Sequence, residues 1–174
     1  MANIFVQKST IHNAGLGLFA KKIIRKGEPV VIYKGDKIKE DDIVNLYLED
    51  PKKYFEMAPY LRSTTKGYII NGKSYMDSKD ILNQGVIVND YSMLQGSKEN
   101  ITKQDLQNYA KTRDKCNIIV KDDEEYPIYI STKRIKKNEE LFVHYGIGYW
   151  LAIKGFLPNE ISELNKKINF NSLY

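Results

Sequence analysis

The grouping of the β-branched and aromatic residues constrains this chain more than any other feature. They fall in short runs, Ile4–Val6, Pro29–Tyr33, Tyr68–Ile70, Val86–Val88, Asn117–Val120 and Ile128–Ile130, separated by turns rich in Gly, Asn, Asp and Lys. Runs of three to five such residues suit strands and are too short for helices. Helical periodicity is confined to three places. Ile43, Leu46 and Tyr47 share a face within Glu40–Glu49, and Asp50-Pro51 is expected to stop that segment. Thr102-Lys103-Gln104-Asp105 has capping-box spacing ahead of Leu106, Tyr109 and Ala110, which predicts a helix over Thr102–Arg113. Trp150, Leu151 and Ile153 lead to Gly155, and Pro158 opens another short amphipathic stretch. No regular β-α-β alternation is present, so the expected class is mostly β (α+β), small sheets decorated by a few short helices.

At 174 residues, with 42% hydrophobic and 28% charged, the chain suits one globular domain, or one domain with a short tail. No window approaches 18 uncharged apolar residues, and the opening Ile4-Phe5-Val6 runs into Gln7-Lys8, so neither a membrane span nor a secretory signal is expected. The single cysteine, Cys116, rules out an internal disulfide and a multi-thiolate zinc site. An intracellular compartment, nuclear or cytoplasmic, and no metal are therefore expected. The net charge is +5, yet 23 of the 27 basic residues are Lys and only 4 are Arg, the better reader of bases and phosphates. Direct nucleic-acid binding is therefore not expected, and a basic nucleic-acid-binding protein is only a third, weaker reading, motivated by the charge of +5 and the Lys133–Lys137 cluster. Lys121-Asp122-Asp123-Glu124-Glu125 lies between two strand-like runs and is expected to be the solvated turn of a hairpin.

Gly15-Leu16-Gly17-Leu18-Phe19-Ala20 has the spacing of a dinucleotide-binding loop, with Asp36 at the distance of a ribose ligand. That loop needs a strand running directly into its first glycine, but Thr10-Ile11-His12-Asn13-Ala14 intervenes. It also needs a crossover helix of a dozen residues, and Gly27-Glu28-Pro29 leaves room for about ten. Two glycines around one residue still allow a tight bend and a close backbone approach to a ligand.

Three separated segments together resemble a known family. Asn13-Ala14-Gly15-Leu16-Gly17-Leu18-Phe19-Ala20, continuing to Lys26-Gly27-Glu28, is similar to the opening of a SET domain, the fold of most protein lysine methyltransferases. Ile128-Tyr129-Ile130-Ser131, followed by Glu139-Glu140-Leu141-Phe142-Val143-His144-Tyr145-Gly146, resembles that family's closing segment. Gly85-Val86-Ile87-Val88-Asn89-Asp90-Tyr91 occupies the place of the Asn-His-Ser motif, and Cys116-Asn117 that of Pro-Asn. Asp90 stands where the family has histidine, and about 25 extra residues, Ser92–Cys116, separate the two asparagine segments. A PRDM-like branch also lacks that histidine and ends in a similar Val-x-Tyr-Gly. The resemblance implies a β-clip of small curved sheets with a C-terminal pseudoknot. The domain would cover residues 3–147, with an insertion at about 92–116, and a helical, aromatic tail over 148–174 would pack on it.

The resemblance further implies methyl transfer from S-adenosylmethionine to a lysine amine. Tyr145 would be the catalytic residue, orienting the amine where cofactor and lysine channel meet. Ala14, Gly15, Leu16 and Gly17 would face the cofactor through the backbone, Asn89 through its side-chain carbonyl, and Asp90 through its main chain. Trp150 or Phe156 would cover the adenine. Phe142 and Val143 would line the channel, and the small Val143 leaves room for di- or trimethylation. His144 is expected beside Tyr145 on a strand but on the opposite face, and His12 in a loop. The implied partner is a protein substrate, a histone tail or another lysine-bearing protein, engaged through acids such as Asp77, Asp80 or Asp122–Glu125. A homodimer through the C-terminal aromatics stays open. A competing expectation is a weakly active or inactive SET-like binding module, because of Asp90 and the insertion.

Overall fold

The computed structural model describes residues 3–122 and 125–173. The chain separates into two compact units. One comprises the chain up to Asn89 together with Asn117–Phe142, and the other comprises Asp90–Cys116 together with the chain from Val143 onward. No helix among the described residues is long and apolar enough to cross a membrane.

The first unit holds three small antiparallel sheets. β1 (Ile4–Lys8) pairs with β2 (Leu16–Ala20), from Ile4↔Ala20 to Lys8↔Leu16. β3 (Pro29–Ile32) lies beside β8 (Ile128–Ser131), which also pairs with β7 (Ile118–Lys121). β4 (Asp36–Lys39) and β5 (Leu61–Ser63) flank β6 (Tyr68–Asn71). Between β4 and β5 run α1 (Glu40–Glu49) and α2 (Pro51–Met57). The inward residues of these strands, among them Leu18, Val31, Ile70, Ile118 and Tyr129, form the buried core.

Several expectations from the sequence are met. β1, β3, β6, β7 and β8 form at the apolar runs, and α1 has the expected bounds. β7 and β8 form a hairpin from Ile118↔Ser131 to Lys121↔Ile128, and Asp123 and Glu124 of its acidic turn lie outside the described residues. Other expectations are corrected. Val86–Val88 is not a strand: Gly85–Ile87 is a 3-10 turn, closed by Ile87 N–H to Gln84 O and Val88 N–H to Gly85 O. The cause is crowding, because Gly85 sits so close to the backbone of Ile32 and Tyr33 that a Cβ there would clash. Asp50-Pro51 ends α1 but also starts α2, with Asp50 accepting from Lys53 N–H at 3.0 Å and Pro51 at the first helical position. Of the glycine pair, Gly15 lies in the bend between β1 and β2 with a left-handed φ, whereas Gly17 falls inside the strand β2. His144 is not on a strand: Glu140 and Phe142 make single bridges, and the chain is irregular from Val143 to Gly146.

The last stretch of the first unit, residues 139–142, is laced into elements far away in sequence. Ala20 N–H donates to Glu139 O at 2.9 Å and Leu141 N–H to Leu18 O at 2.8 Å, while Phe142 forms a parallel bridge with Asn89. On the other side Asn117, 2% exposed, accepts from Phe142 N–H at 2.8 Å and donates to Glu140 O at 2.8 Å. One amide side chain thus stands in for a strand neighbour.

In the second unit the capping box predicted at Thr102 is present, with Asp105 accepting from Thr102 N–H at 2.8 Å and Thr102 Oγ1 from Asp105 N–H at 3.2 Å. It opens α3 (Lys103–Ala110), and a 3-10 turn over Lys111–Lys115 completes the expected segment. α4 (Ile147–Ile153) and α5 (Pro158–Ile168) follow, the latter beginning at the predicted proline. Leu106, Tyr109 and Ala110 of α3 bury against Ile147 and Leu151 of α4, with Leu94 and Phe170.

Removing the Asn117 side chain leaves a buried N–H and C=O without partners. Asn117→Ala should lower the unfolding free energy by about 2–4 kcal/mol. Urea titration measures this, and a change below about 1 kcal/mol would show that the closing segment holds without it.

Candidate active site

In the first unit the site begins with the β1–β2 loop. Ser9 N–H donates to Gly15 O at 2.9 Å, and Asn13 and Gly15 adopt left-handed φ values of 62° and 73°. Glu140, 3% exposed, reaches this loop from the other end of the unit. It accepts from Ser9 Oγ and from Thr10 N–H, both at 2.7 Å, and from Thr10 Oγ1 at 2.5 Å. Gly17 is what allows this approach, since a Cβ on it would overlap Glu140 Oε1. The two glycines therefore have separate reasons: Gly15 takes a positive φ, and Gly17 makes room for a buried carboxylate.

Asn89 completes this half. Its Nδ2 donates to Leu16 O at 2.9 Å and to Glu140 Oε1 at 3.3 Å. Both amide hydrogens are spent, so Oδ1 is the atom left to accept. Ala14 is half-buried, Gly15 and Leu16 are exposed, and Gly17 and Phe142 are buried. Of the residues expected to bind the cofactor, Leu16, Gly17 and Asn89 are thus brought together within one unit, with Phe142 bridged to Asn89.

The other expected residues, Asp90, Val143, Tyr145 and Trp150, belong to the second unit. The Asp90 side chain is buried there and acts as a hub. Its Oδ2 accepts from the Tyr109 hydroxyl, from Tyr145 N–H at 3.0 Å and from Trp150 Nε1 at 3.0 Å. Tyr109 Oη in turn accepts from Gly146 N–H at 3.2 Å. The Tyr145 ring stacks on Trp150 at 6.1 Å between centroids and meets Tyr149 edge-on at 4.6 Å. Val143 is buried, and Gly146 turns the chain into α4 with φ 94°. A carboxylate in place of histidine therefore anchors the backbone of the tyrosine expected to be catalytic.

Burial, reinforced by the charge and hydrogen bond of Asp90, pushes the Tyr109 hydroxyl far above the usual tyrosine range, so it stays a donor. The His144 ring packs on Tyr109 at 4.4 Å, and a ring nitrogen lies 3.3 Å from Tyr109 O. Burial lowers its pKa, against an opposing pull from Asp90. His12 is exposed in the β1–β2 loop, as expected.

Sequence reasoning did not identify Glu140 or Tyr109 as parts of the site. The Glu139-Glu140 pair was visible in the closing motif, but nothing in it tells which acid turns inward. Tyr109 was legible only as a member of the apolar face of α3.

Comparison with known proteins decides the family. The SET domain family matches residues 15–146. The chain belongs to the SET-domain family. SET domains are in general lysine methyltransferases that use S-adenosylmethionine. No curated protein matches the chain. Among solved structures it is similar to ctPRC2 in an autoinhibited conformation bound to S-adenosylmethionine, with a TM-score of 0.54 and 23% identity over 95% of this chain and 17% of that one. Apo ctPRC2 in an autoinhibited state gives 0.55 and 22%, over 97% and 17%. The crystal structure of the Chaetomium thermophilum polycomb repressive complex 2 gives 0.53 and 23%, over 83% and 15%. The SET chain spans only about a sixth of those longer chains, and the likeness establishes the SET fold.

Asp90→Ala strands three donors at once and should destabilise the protein by about 2–5 kcal/mol. The only tryptophan, Trp150, reports the same change locally: its emission should shift to the red as the indole exchanges a carboxylate for water. An unshifted spectrum would count against the hub. His144 supplies a second test. Its folded-state pKa lies below the ordinary value, so the unfolded chain binds the proton more readily and stability rises with pH. The contribution is complete above about pH 6.5 and is lost as pH falls through and below that value. In His144→Phe the pH dependence of the urea midpoint should flatten over that window.

Proposed function

We propose that the chain is an S-adenosylmethionine-dependent protein lysine N-methyltransferase. The observation that carries the proposal is the fixing of Asn89, whose two amide hydrogens are held by Leu16 O and Glu140 so that its carbonyl oxygen is aimed away from them. An oriented acceptor suits the ammonium of a methionine moiety. The neighbouring backbone suits it too, because Gly15 has open space where a side chain would stand. In this assignment Ala14, Gly15, Leu16 and Gly17 contact the donor through the main chain, and Asn89 accepts from its ammonium. Asp90 contributes main-chain contacts, its carboxylate being committed to Tyr145 and Trp150.

S-adenosylmethionine supplies a methyl group on a sulfonium, which leaves as a neutral thioether. The lysine amine must be uncharged to take it. With a free pKa of about 10.4, deprotonation at pH 7 costs about 4.6 kcal/mol. Phe142 and Val143 would lower that cost by lining the lysine channel with apolar surface, which disfavours the ammonium form. Tyr145 would orient the nitrogen lone pair through its hydroxyl, and its backbone is held by Asp90. The rest of the acceleration is positioning. Val143 carries no hydroxyl to compete for the amine, which suits transfer to the di- or trimethyl state. Trp150, its ring stacked on Tyr145, would close over the adenine. The substrate is a lysine-bearing protein, a histone tail being one case, met in a nuclear or cytoplasmic setting.

The competing function is a SET-like module that binds without catalysing, favoured by the departure at Asp90. Labelled donor and a panel of protein substrates distinguish the two. Methyl transfer, read by mass spectrometry as successive single-methyl steps, should fall at least about 100-fold in Tyr145→Phe, the scale of a lost transition-state contact. Asn89→Ala should weaken donor binding by about tenfold or more, the worth of one hydrogen bond to a charged group. Donor uptake with no transfer to any protein would favour the module, and no uptake would end both.

A further inference from the structure

Two tight turns of the first unit carry eight of the chain's 27 basic residues in eleven positions. These are Lys21-Lys22-Ile23-Ile24-Arg25-Lys26 and Lys133-Arg134-Ile135-Lys136-Lys137. They lie about 110 residues apart in sequence, and the fold places them side by side. Ile24 N–H donates to Ile135 O at 3.0 Å, and Ile135 N–H donates to Ile24 O at 2.9 Å.

The pairing is reciprocal beyond that bridge. Gly27, at φ 86°, donates to the carbonyl of Ser131, the residue just before the second turn's segment begins at Thr132. Asn138, at φ 65°, donates to the carbonyl of Ala20, just before the first turn. Glu28 N–H bonds Arg25 O at 3.2 Å, and Glu139 N–H bonds Lys136 O at 3.2 Å. Counted from the two isoleucines, Lys22 corresponds to Lys133, Arg25 to Lys136 and Lys26 to Lys137. Two like turns joined by an antiparallel bridge are related by a local two-fold axis, so these cations occur as three symmetric pairs. Ile24 and Ile135 are buried and all the paired cations are exposed. Lys22, Arg25, Lys26, Lys136 and Lys137 make no ion pair among the described residues.

A duplex nucleic acid has the complementary symmetry. Its two antiparallel phosphate backbones are related by two-fold axes across the groove, the relation that dimeric DNA-binding proteins match with their own two-fold. An acidic peptide or a lipid surface has no such axis. The predominance of Lys suits phosphate contact rather than base reading. We propose that the paired turns at Ile24 and Ile135 form a docking surface for the backbone of double-stranded nucleic acid, bound without regard to sequence. Within the first unit the first turn follows the C-terminal end of β2 and the second, bridged to it, follows β8, whereas Leu16, the contact of Asn89, opens the N-terminal end of β2. Five residues of strand, about 13–17 Å, separate the two functions.

Fluorescence anisotropy of a 20-base-pair duplex with the full chain, without donor, tests the surface separately from methyl transfer. With six phosphates contacted, the logarithm of the binding constant should fall against log salt with a slope of about −5. Lys22→Gln/Arg25→Gln/Lys26→Gln and Lys133→Gln/Lys136→Gln/Lys137→Gln should each reduce the magnitude of the slope by about 2–3 and weaken binding by at least about tenfold, equally for the two turns. A control triple on exposed lysines elsewhere, Lys52→Gln/Lys53→Gln/Lys79→Gln, should leave both unchanged. Circular dichroism melting checks that each variant is folded; if a triple is not, Lys26→Gln and Lys137→Gln should each change the slope by about 1. Absent duplex binding at 50 mM salt, loop variants that bind as wild type, a control that loses as much, or equal binding to anionic phospholipid vesicles or polyglutamate would each overturn the proposal.

Discussion

Glu140 is the interaction on which the first unit depends. Its carboxylate is buried and engaged at both oxygens, Oε1 accepting from Ser9 Oγ and Asn89 Nδ2 and Oε2 from the N–H and hydroxyl of Thr10. A buried charge of this kind persists only when hydrogen bonds replace the water it gave up. Those bonds reinforce, with side-chain contacts, the main-chain bridges that bring together three distant stretches of chain: the β1–β2 hairpin, the exit of the 3-10 turn at Gly85–Ile87, and the closing segment. Gly17 exists to admit the carboxylate, and the orientation of Asn89 follows from it.

A second carboxylate organises the other unit in the same manner. Asp90 gathers a hydroxyl, a main-chain N–H and an indole N–H, donors drawn from α3, the segment before α4, and α4 itself. The insertion that sets this chain apart from the usual family pattern supplies Tyr109, whose hydroxyl donates to Asp90. The helix within the insertion brings one donor to this acid, and Tyr145 and Trp150 bring the other two.

Much of this was legible in the sequence, for identifiable reasons. Five strands were visible because their residues are β-branched or aromatic, and α3 because Thr102 and Asp105 advertise a cap. β4 and β5 were not, since Asp36-Lys37-Ile38-Lys39 and Leu61-Arg62-Ser63 are strands through pairing with β6 rather than through propensity. Val86–Val88 looked like a strand because crowding at Gly85 leaves no trace in local composition. At the site, the motifs located Asn89, Tyr145 and the glycines. What holds each of them in place, Glu140 and Asp90, depends on contacts over 51 to 131 residues of separation, and no local pattern carries that information. The pairing of the basic turns was hidden for the same reason. The Lys133–Lys137 cluster was visible by itself, but its partner turn became apparent only through the bridge between Ile24 and Ile135.

The distance along the chain between Ser9 and Glu140 bears on biosynthesis. On a ribosome the first hairpin emerges well over a hundred residues before its clasp is made. High contact order of this sort slows productive folding and leaves the early strands with uncovered edges. Premature termination between the first hairpin and Glu140 would release a product whose first hairpin is intact in sequence but lacks this clasp, a natural substrate for chaperones and proteases.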